Sequence, residues 1–197
     1  MKVTKRDQQK AQTRQRILDV AYSRFSSNGI EKTNTADIAK EAKLSHGAIF
    51  VHFKTRQDIV LNVIDRFGVE LREQITQSIG RSHTPKSVLL SFTKALASFE
   101  DFYVELLIVM PKMPDSLQGS FLMVQNALAY QLLPVVKAKL DPSRYEKLGE
   151  DGIMNSWFAQ LHYFLSNRHL YVSESSVLEK SGTKIVNDYL TLLGLET

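Results

Sequence analysis

The residues best suited to chemistry in this chain are its histidines and a cluster of carboxylates. His46 and His52 stand six apart in the stretch KLSHGAIFVHFKTR, residues 43–56. On a helix that spacing is about 600° of rotation, so the rings point apart and cannot share a metal. His162 and His169 are seven apart, roughly on one helical face but two turns distant, with no paired carboxylate. They read as pocket or interface polar residues rather than ligands. Glu100, Asp101 and Glu105 form a solvated acidic face or part of a pocket for a cationic ligand. Cysteine is absent, which removes disulfides, thiolate metal sites and cysteine nucleophiles. No G-x-S-x-G, phosphate-loop or dinucleotide fingerprint occurs. No set of nucleophile, base and metal ligands emerges, so neither enzymatic activity nor a metal or other cofactor is expected.

Charge points elsewhere. Residues 1–60 hold 12 Lys and Arg against 6 Asp and Glu, and the remainder hold 13 against 15. A basic N-terminal third on a slightly acidic body suggests a polyanion-binding module joined to something else. With 197 residues and 43% hydrophobic content the chain can bury a substantial core. The segment MKVTKRDQQKAQTR has no apolar signal core, and no run of eighteen apolar residues occurs. A soluble, cytoplasmic protein without a membrane partner is expected.

The elements that must position these residues are helices throughout; no alternating strand pattern persists. Ile17, Leu18, Ala21, Tyr22 and Phe25 share one face of a first helix, which stops at SSNG, where Gly29 can take positive φ. A short second helix follows, with Thr33 or Asn34 as N-cap and Asp37 as the partner of Asn34. Ser45 caps a third, two-turn helix ending near His52. Thr55, with Asp58, opens a fourth that buries Ile59, Val63, Phe67, Leu71 and Ile75. Further helices are expected over 87–110, 120–140 (with a kink at Pro134), 153–171 and 176–195, the last opened by Ser176 and Glu179. Residues 141–152 read as a loop or short turn. The class is all-α: a three-helix head, residues 1–54, with a basic N-terminal arm, and a larger helical body, residues 55–197.

Two short helices joined by KLS, with the small Ala39 at their contact, make a helix-turn-helix. Its second helix enters the DNA major groove and its first residues meet base edges. Those residues are His46, Gly47 and Ala48, behind the cap Ser45. His46 suits guanine N7 or O6, or a phosphate; Ala48 and Val51 suit a thymine methyl group. Thr33, Asn34 and Thr35 offer hydroxyl, amide and N–H groups to a phosphate. Lys54 and Arg56 add charge, and removal of Arg56 should make the salt dependence of DNA binding shallower by about one charge.

The stretch GIEKTNTADIAKEAKLSHGAIFVHFKTRQDIVLNVI, residues 29–64, resembles the DNA-binding domain of TetR-family transcriptional repressors. The shared pattern is a glycine, a Thr/Ser-rich helix start, an Asp/Glu-Ile-Ala core, a turn ending in Ser, then Gly and aromatics, then Phe-x-Ser/Thr-Lys. The match covers about fifty residues, 13–64, in order and spacing. It implies a protomer of nine helices, a homodimer built mainly from the last two, a palindromic double-stranded operator and a small-molecule effector pocket in the body. Lys43 stands at a turn position that is usually glycine. Phe50 replaces a common tyrosine whose hydroxyl reaches a phosphate, and Arg56 replaces the usual lysine. Readout then leans on His46, Gly47, Val51, His52 and DNA shape.

In the body, Phe99, Tyr103, Met110, Phe121, Tyr130, Trp157 and His162 are expected to line a cavity for a small lipophilic effector. Leu178, Gly182, Ile185, Val186, Tyr189 and Leu193 form a stripe on the last helix. With Trp157, Leu161, Phe164 and Leu165 it would make an isologous four-helix interface between two protomers. The function expected is transcriptional repression released by the effector. The rivals are an architectural DNA-binding protein without an effector and an all-α carrier or enzyme with an incidental basic head.

Overall fold

The computed structural model describes residues 4–79, 83–172 and 175–195. Among them nine α-helices and no strand occur. The head is α1 (Lys5–Asn28), α2 (Thr35–Glu41) and α3 (His46–His52). The body is α4 (Arg56–Ile79), α5 (Pro85–Ala97), α6 (Glu100–Val109), α7 (Asp115–Lys137), α8 (Pro142–Ser166) and α9 (Val177–Leu193).

The helix starts follow from side-chain caps that satisfy otherwise orphaned N–H groups. Asn34 accepts from Asp37 N at 2.9 Å and Ser45 from Ala48 N at 3.3 Å. Thr55 and Asp58 form a reciprocal box, with distances of 2.9 and 3.0 Å. A second box, Thr4 with Asp7, starts α1 much earlier than expected. Lys5, Arg6 and Lys10 are therefore exposed rungs of a helix, not a flexible basic arm; residues 1–3 of that arm lie outside the described residues.

Two further boundaries differ from expectation. The apolar run 87–110 is two helices, because the chain turns at Ser98 and Phe99. That turn lets Phe99 pack its ring 5.2 Å from Phe67 and 6.3 Å from Tyr22. It also aims Glu100, only 5% exposed, at the N-terminus of α9, where its carboxylate accepts from Val177 N, Leu178 N and the Ser176 hydroxyl. Glu100 thus serves as a buried cap rather than a solvated face, whereas Asp101 stays exposed. Asp101 pairs with Arg168, and Glu105 reaches into the head. Residues 142–152 are helical rather than a loop: Asp141 caps Ser143 N and Arg144 N, Pro142 opens α8, and Gly149 (φ 64°) breaks its regular geometry.

One continuous core runs from Ile17, Ala21 and Phe25 of α1 through the α4 stripe to Trp157, Leu161 and α9. Gly68 permits the close approach of α4 and α7, since a Cβ there would lie 2.7 Å from Val124 Cγ2. The α9 stripe is spent inside the protomer. Leu178, Gly182, Ile185, Val186, Tyr189 and Leu193 are buried, with the Gly182 position facing Thr93 of α5. Trp157 and Leu161 are 0% exposed, Trp157 lying against Phe92 and Tyr189, and Leu165 is buried likewise. These residues cannot form a face between protomers without dismantling the core; of the expected interface only Phe164 stays partly exposed, its ring 4.7 Å from that of Tyr171 and tilted to it.

Candidate nucleic-acid interface

The head exposes residues of α2, α3, the turn between them and the start of α1, among them Lys5, Arg6, Lys10, Lys40 and Lys43. Its turn is set by Lys43, whose φ of 55° is positive, unlike that of any other described non-glycine residue. A side chain in the left-handed region costs about 1–2 kcal/mol. Lys43→Gly is accordingly expected to raise stability by about 0.5–1 kcal/mol, after allowing for the looser unfolded chain. A urea midpoint that fell instead would refute the strained turn.

Around that turn Asn34, Ser45, His46, Gly47, Phe50, Val51 and Lys54 are exposed, and Thr35, Ala48 and His52 are half-exposed. His46 Nε2 lies 2.9 Å from Thr35 Oγ1, and its ring packs edge-on against Phe50 at 5.3 Å. Thr35 and His46 are therefore one fixed unit joining the two helices. At the other end of α3, burial first, then the charges of Lys10 and Arg14, hold the His52 imidazole below its usual pKa. Arg14 also donates to the His52 carbonyl at 3.3 Å. The first half of α1 therefore stands beside the recognition helix, a neighbour that periodicity alone did not indicate.

Two expected contacts fail. Thr33 is 1% exposed and its hydroxyl donates to the Gly29 carbonyl at 2.9 Å, so it has no hydrogen left for a phosphate. Arg56 turns inward: Nε donates to the Thr33 carbonyl at 2.8 Å and Nη2 to the Ile30 carbonyl. It clamps the turn between α1 and α2 rather than serving as a free surface cation. The body grips the same turn, because Glu105 of α6 accepts from Ile30 N at 2.6 Å. Gly29 suits that turn through its φ of 93°, and a Cβ there would crowd Glu105 Oε1 at 3.1 Å.

The expected effector residues do not form a single lining. Tyr103, Phe121 and His162 come together, with Tyr103 Oη 2.9 Å from His162 Nε2 and the Tyr103 ring 5.4 Å from Phe121. Gln125, which the sequence did not single out, donates to the Tyr103 hydroxyl at 3.3 Å. Phe99 lies in the α1–α4–α6 contact, Met110 is buried where α6 ends, and Trp157 belongs to the α5–α8–α9 core. Tyr130 is 86% exposed and lines nothing within the protomer. A separate cleft of about 740 Å³ opens between the end of α1 and the α5–α6 turn, bordered by Tyr22, Ser26, Asp101 and Arg168; of the expected set it takes only Phe99.

Burial keeps His162 neutral, with its pKa down at about 4 from 6.5, and pushes the Tyr103 phenol up. Between pH 6.5 and about 4 the unfolded chain binds a proton at His162 that the folded chain does not, so stability declines as pH falls through that window. The wild type is expected to lose more melting temperature between about pH 7 and pH 5 than His162→Gln does; equal losses would show that His162 is not held neutral.

Known proteins match in two ways. Residues 17–63 match the family described as bacterial regulatory proteins, tetR family. The HTH-type transcriptional regulator AcrR of Shigella flexneri is 46% identical over 55 residues, 28% of this chain and 26% of that protein. The probable acrEF/envCD operon repressor of Escherichia coli K12 is 33% identical over 75 residues, 37% of this chain and 34% of that protein. These matches thus span about a quarter to a third of each relative's length. Over nearly the whole chain the likeness is one of fold. A transcriptional regulator from Rhodococcus superposes with a TM-score of 0.73 at 15% identity, covering 93% of this chain and 99% of that one. Bacillus subtilis FadR, solved with stearoyl-CoA, gives 0.71 at 15% identity, covering 92% and 99%.

Proposed function

For a chain whose residues 17–63 match the tetR family and whose fold superposes on TetR-family regulators, we propose a homodimeric transcriptional repressor that leaves its operator when a small lipophilic effector binds the body. The observation that carries this reading is the capped helix-turn-helix, with its recognition helix exposed along His46, Gly47, Phe50 and Val51 beside basic residues of α1. Asn34, Ser45, Lys54, Lys5 and Lys10 would hold phosphates, Thr35 would orient His46, and Ala48 and His52 would flank the bases.

We set the functional boundary at 54/55, where the Thr55 cap starts α4. The dimer would use outward residues of α8 and α9, Ala159, Tyr163 and Leu192 among them, in place of the stripe that the core consumes. An effector would meet the Tyr103–His162–Gln125 group, whose neutral members favour an uncharged polar contact on a lipophilic molecule; the FadR neighbour holds a fatty acyl-CoA. Glu105 on α6 would carry a shift of the body to the turn before α2. Coupling requires the effector to bind the two states with different affinity, typically by about 1–3 kcal/mol.

Hydroxyl-radical footprinting on DNA flanking the protein's own reading frame tests this. Two protected patches about one helical turn apart are expected. Uniform cleavage across the fragment would refute the reading. An incidental basic head gives the same null, whereas an architectural protein gives protection that no small molecule releases.

A further inference from the structure

The chemistry of the recognition helix narrows what it can read. Bases are distinguished in the major groove mainly by bidentate pairs from Arg or Lys to guanine and from Asn or Gln to adenine, or by apolar contact with the thymine methyl. The sequence of α3, HGAIFVH, contains none of the bidentate readers. Its outward positions are His46, Gly47, Phe50 and Val51, which fall on one face at i, i+1, i+4 and i+5. Two of these are apolar and open to solvent, Val51 at 69% and Phe50 at 47%. At Gly47 an added Cβ would meet nothing within 4 Å, so the face is flat there and a base edge can come close to the backbone.

The polar side chains nearby are mostly committed. Thr35 engages His46 Nε2, leaving that ring Nδ1 alone. Ser45 spends its oxygen on the Ala48 N–H and keeps one donor. His52 is half-buried, and its Nδ1 is enclosed without a partner. The cations Lys43 and Lys54 stand beyond the two ends of the helix, outside the face that its side chains present.

We propose that this helix identifies its operator chiefly by thymine C5-methyl groups, which Val51 and Phe50 cover, with His46 Nδ1 giving one hydrogen bond per half-site. This rests on the DNA-binding reading above and adds the class of base edge that the protein selects. A buried methyl is worth about fourfold in affinity.

The test uses the full-length protein and duplexes it selects from a random DNA library. Each thymine of a selected duplex is replaced in turn by deoxyuracil, which lacks only the methyl. Affinity is expected to fall about fourfold at one or more positions in each half-site. That penalty should largely disappear in the double variant Val51→Ala/Phe50→Ala, whose exposed sites leave folding intact. Uracil duplexes that bind within twofold of the thymine ones, or a penalty unchanged in the double variant, would overturn methyl readout while leaving the regulator reading standing. A library that yields no preferred sequence would overturn both.

Discussion

Arg56→Ala is expected to destabilise the protein by about 3 kcal/mol while leaving the salt dependence of any remaining DNA binding unchanged. The guanidinium holds the carbonyls of Thr33 and Ile30 from one side, as Glu105 holds the Ile30 N–H from the other. Ile30 is fully buried and Thr33 nearly so, so the carbonyls freed by the substitution have little access to water. Hydrogen bonds from charged donors contribute about 1.5–3 kcal/mol each. Arg56→Lys should recover only part of the loss, because a single ammonium cannot reproduce the two-pronged geometry. Urea unfolding measures the first quantity and a salt titration of DNA affinity the second. A slope that falls by about one charge, with stability intact, would return Arg56 to the phosphate role its charge first suggests.

Phe67→Ala is expected to cost about 3–5 kcal/mol, a large part of the stability of a protein this size. Phe67 is 1% exposed, and its ring lies 5.2 Å from Phe99, 5.5 Å from Phe102 and 6.2 Å from Tyr103. Its truncation opens a cavity where α4 meets α6, with α1 close by through Tyr22. The surrounding rings are fixed by their own neighbours and cannot close the gap cheaply. Val69→Ala, two residues along and 43% exposed, provides the control, expected within about 0.5 kcal/mol of wild type. Comparable losses for the two would mean that the ring cluster does not form.

The same two residues show what the sequence could and could not disclose. The α4 stripe that contains Phe67 repeats every four residues, and burial followed as read. The caps Asn34, Ser45 and Thr55 were legible because each acts on a backbone three residues away. Even the positive φ of Lys43 was signalled, by a lysine in a turn that resembles one usually made with glycine. Arg56 was misread because its partners lie 23 and 26 residues back, and nothing local says which way a long side chain points. The α9 stripe misled for a related reason: amphipathic spacing says that a face is buried but not against what, and α5 supplies that partner within the chain. The turn at Ser98 and Phe99 is invisible in an apolar run, since only the Tyr22–Phe67–Phe99 packing and the Glu100 cap require it. By contrast, Asp141-Pro142 is an N-cap and first-turn pair that did mark the start of α8, in a segment read as a loop.

The proposed function stands or falls on whether the head distinguishes one DNA sequence from others. The measurement that bears on it most directly is the ratio of dissociation constants for operator and scrambled duplex, at about 150 mM salt. Operator binding tighter than about 1 μM and a ratio of at least about a thousand are expected. A ratio near one, with both affinities collapsing together as salt rises, would instead show a basic surface that holds DNA without reading it.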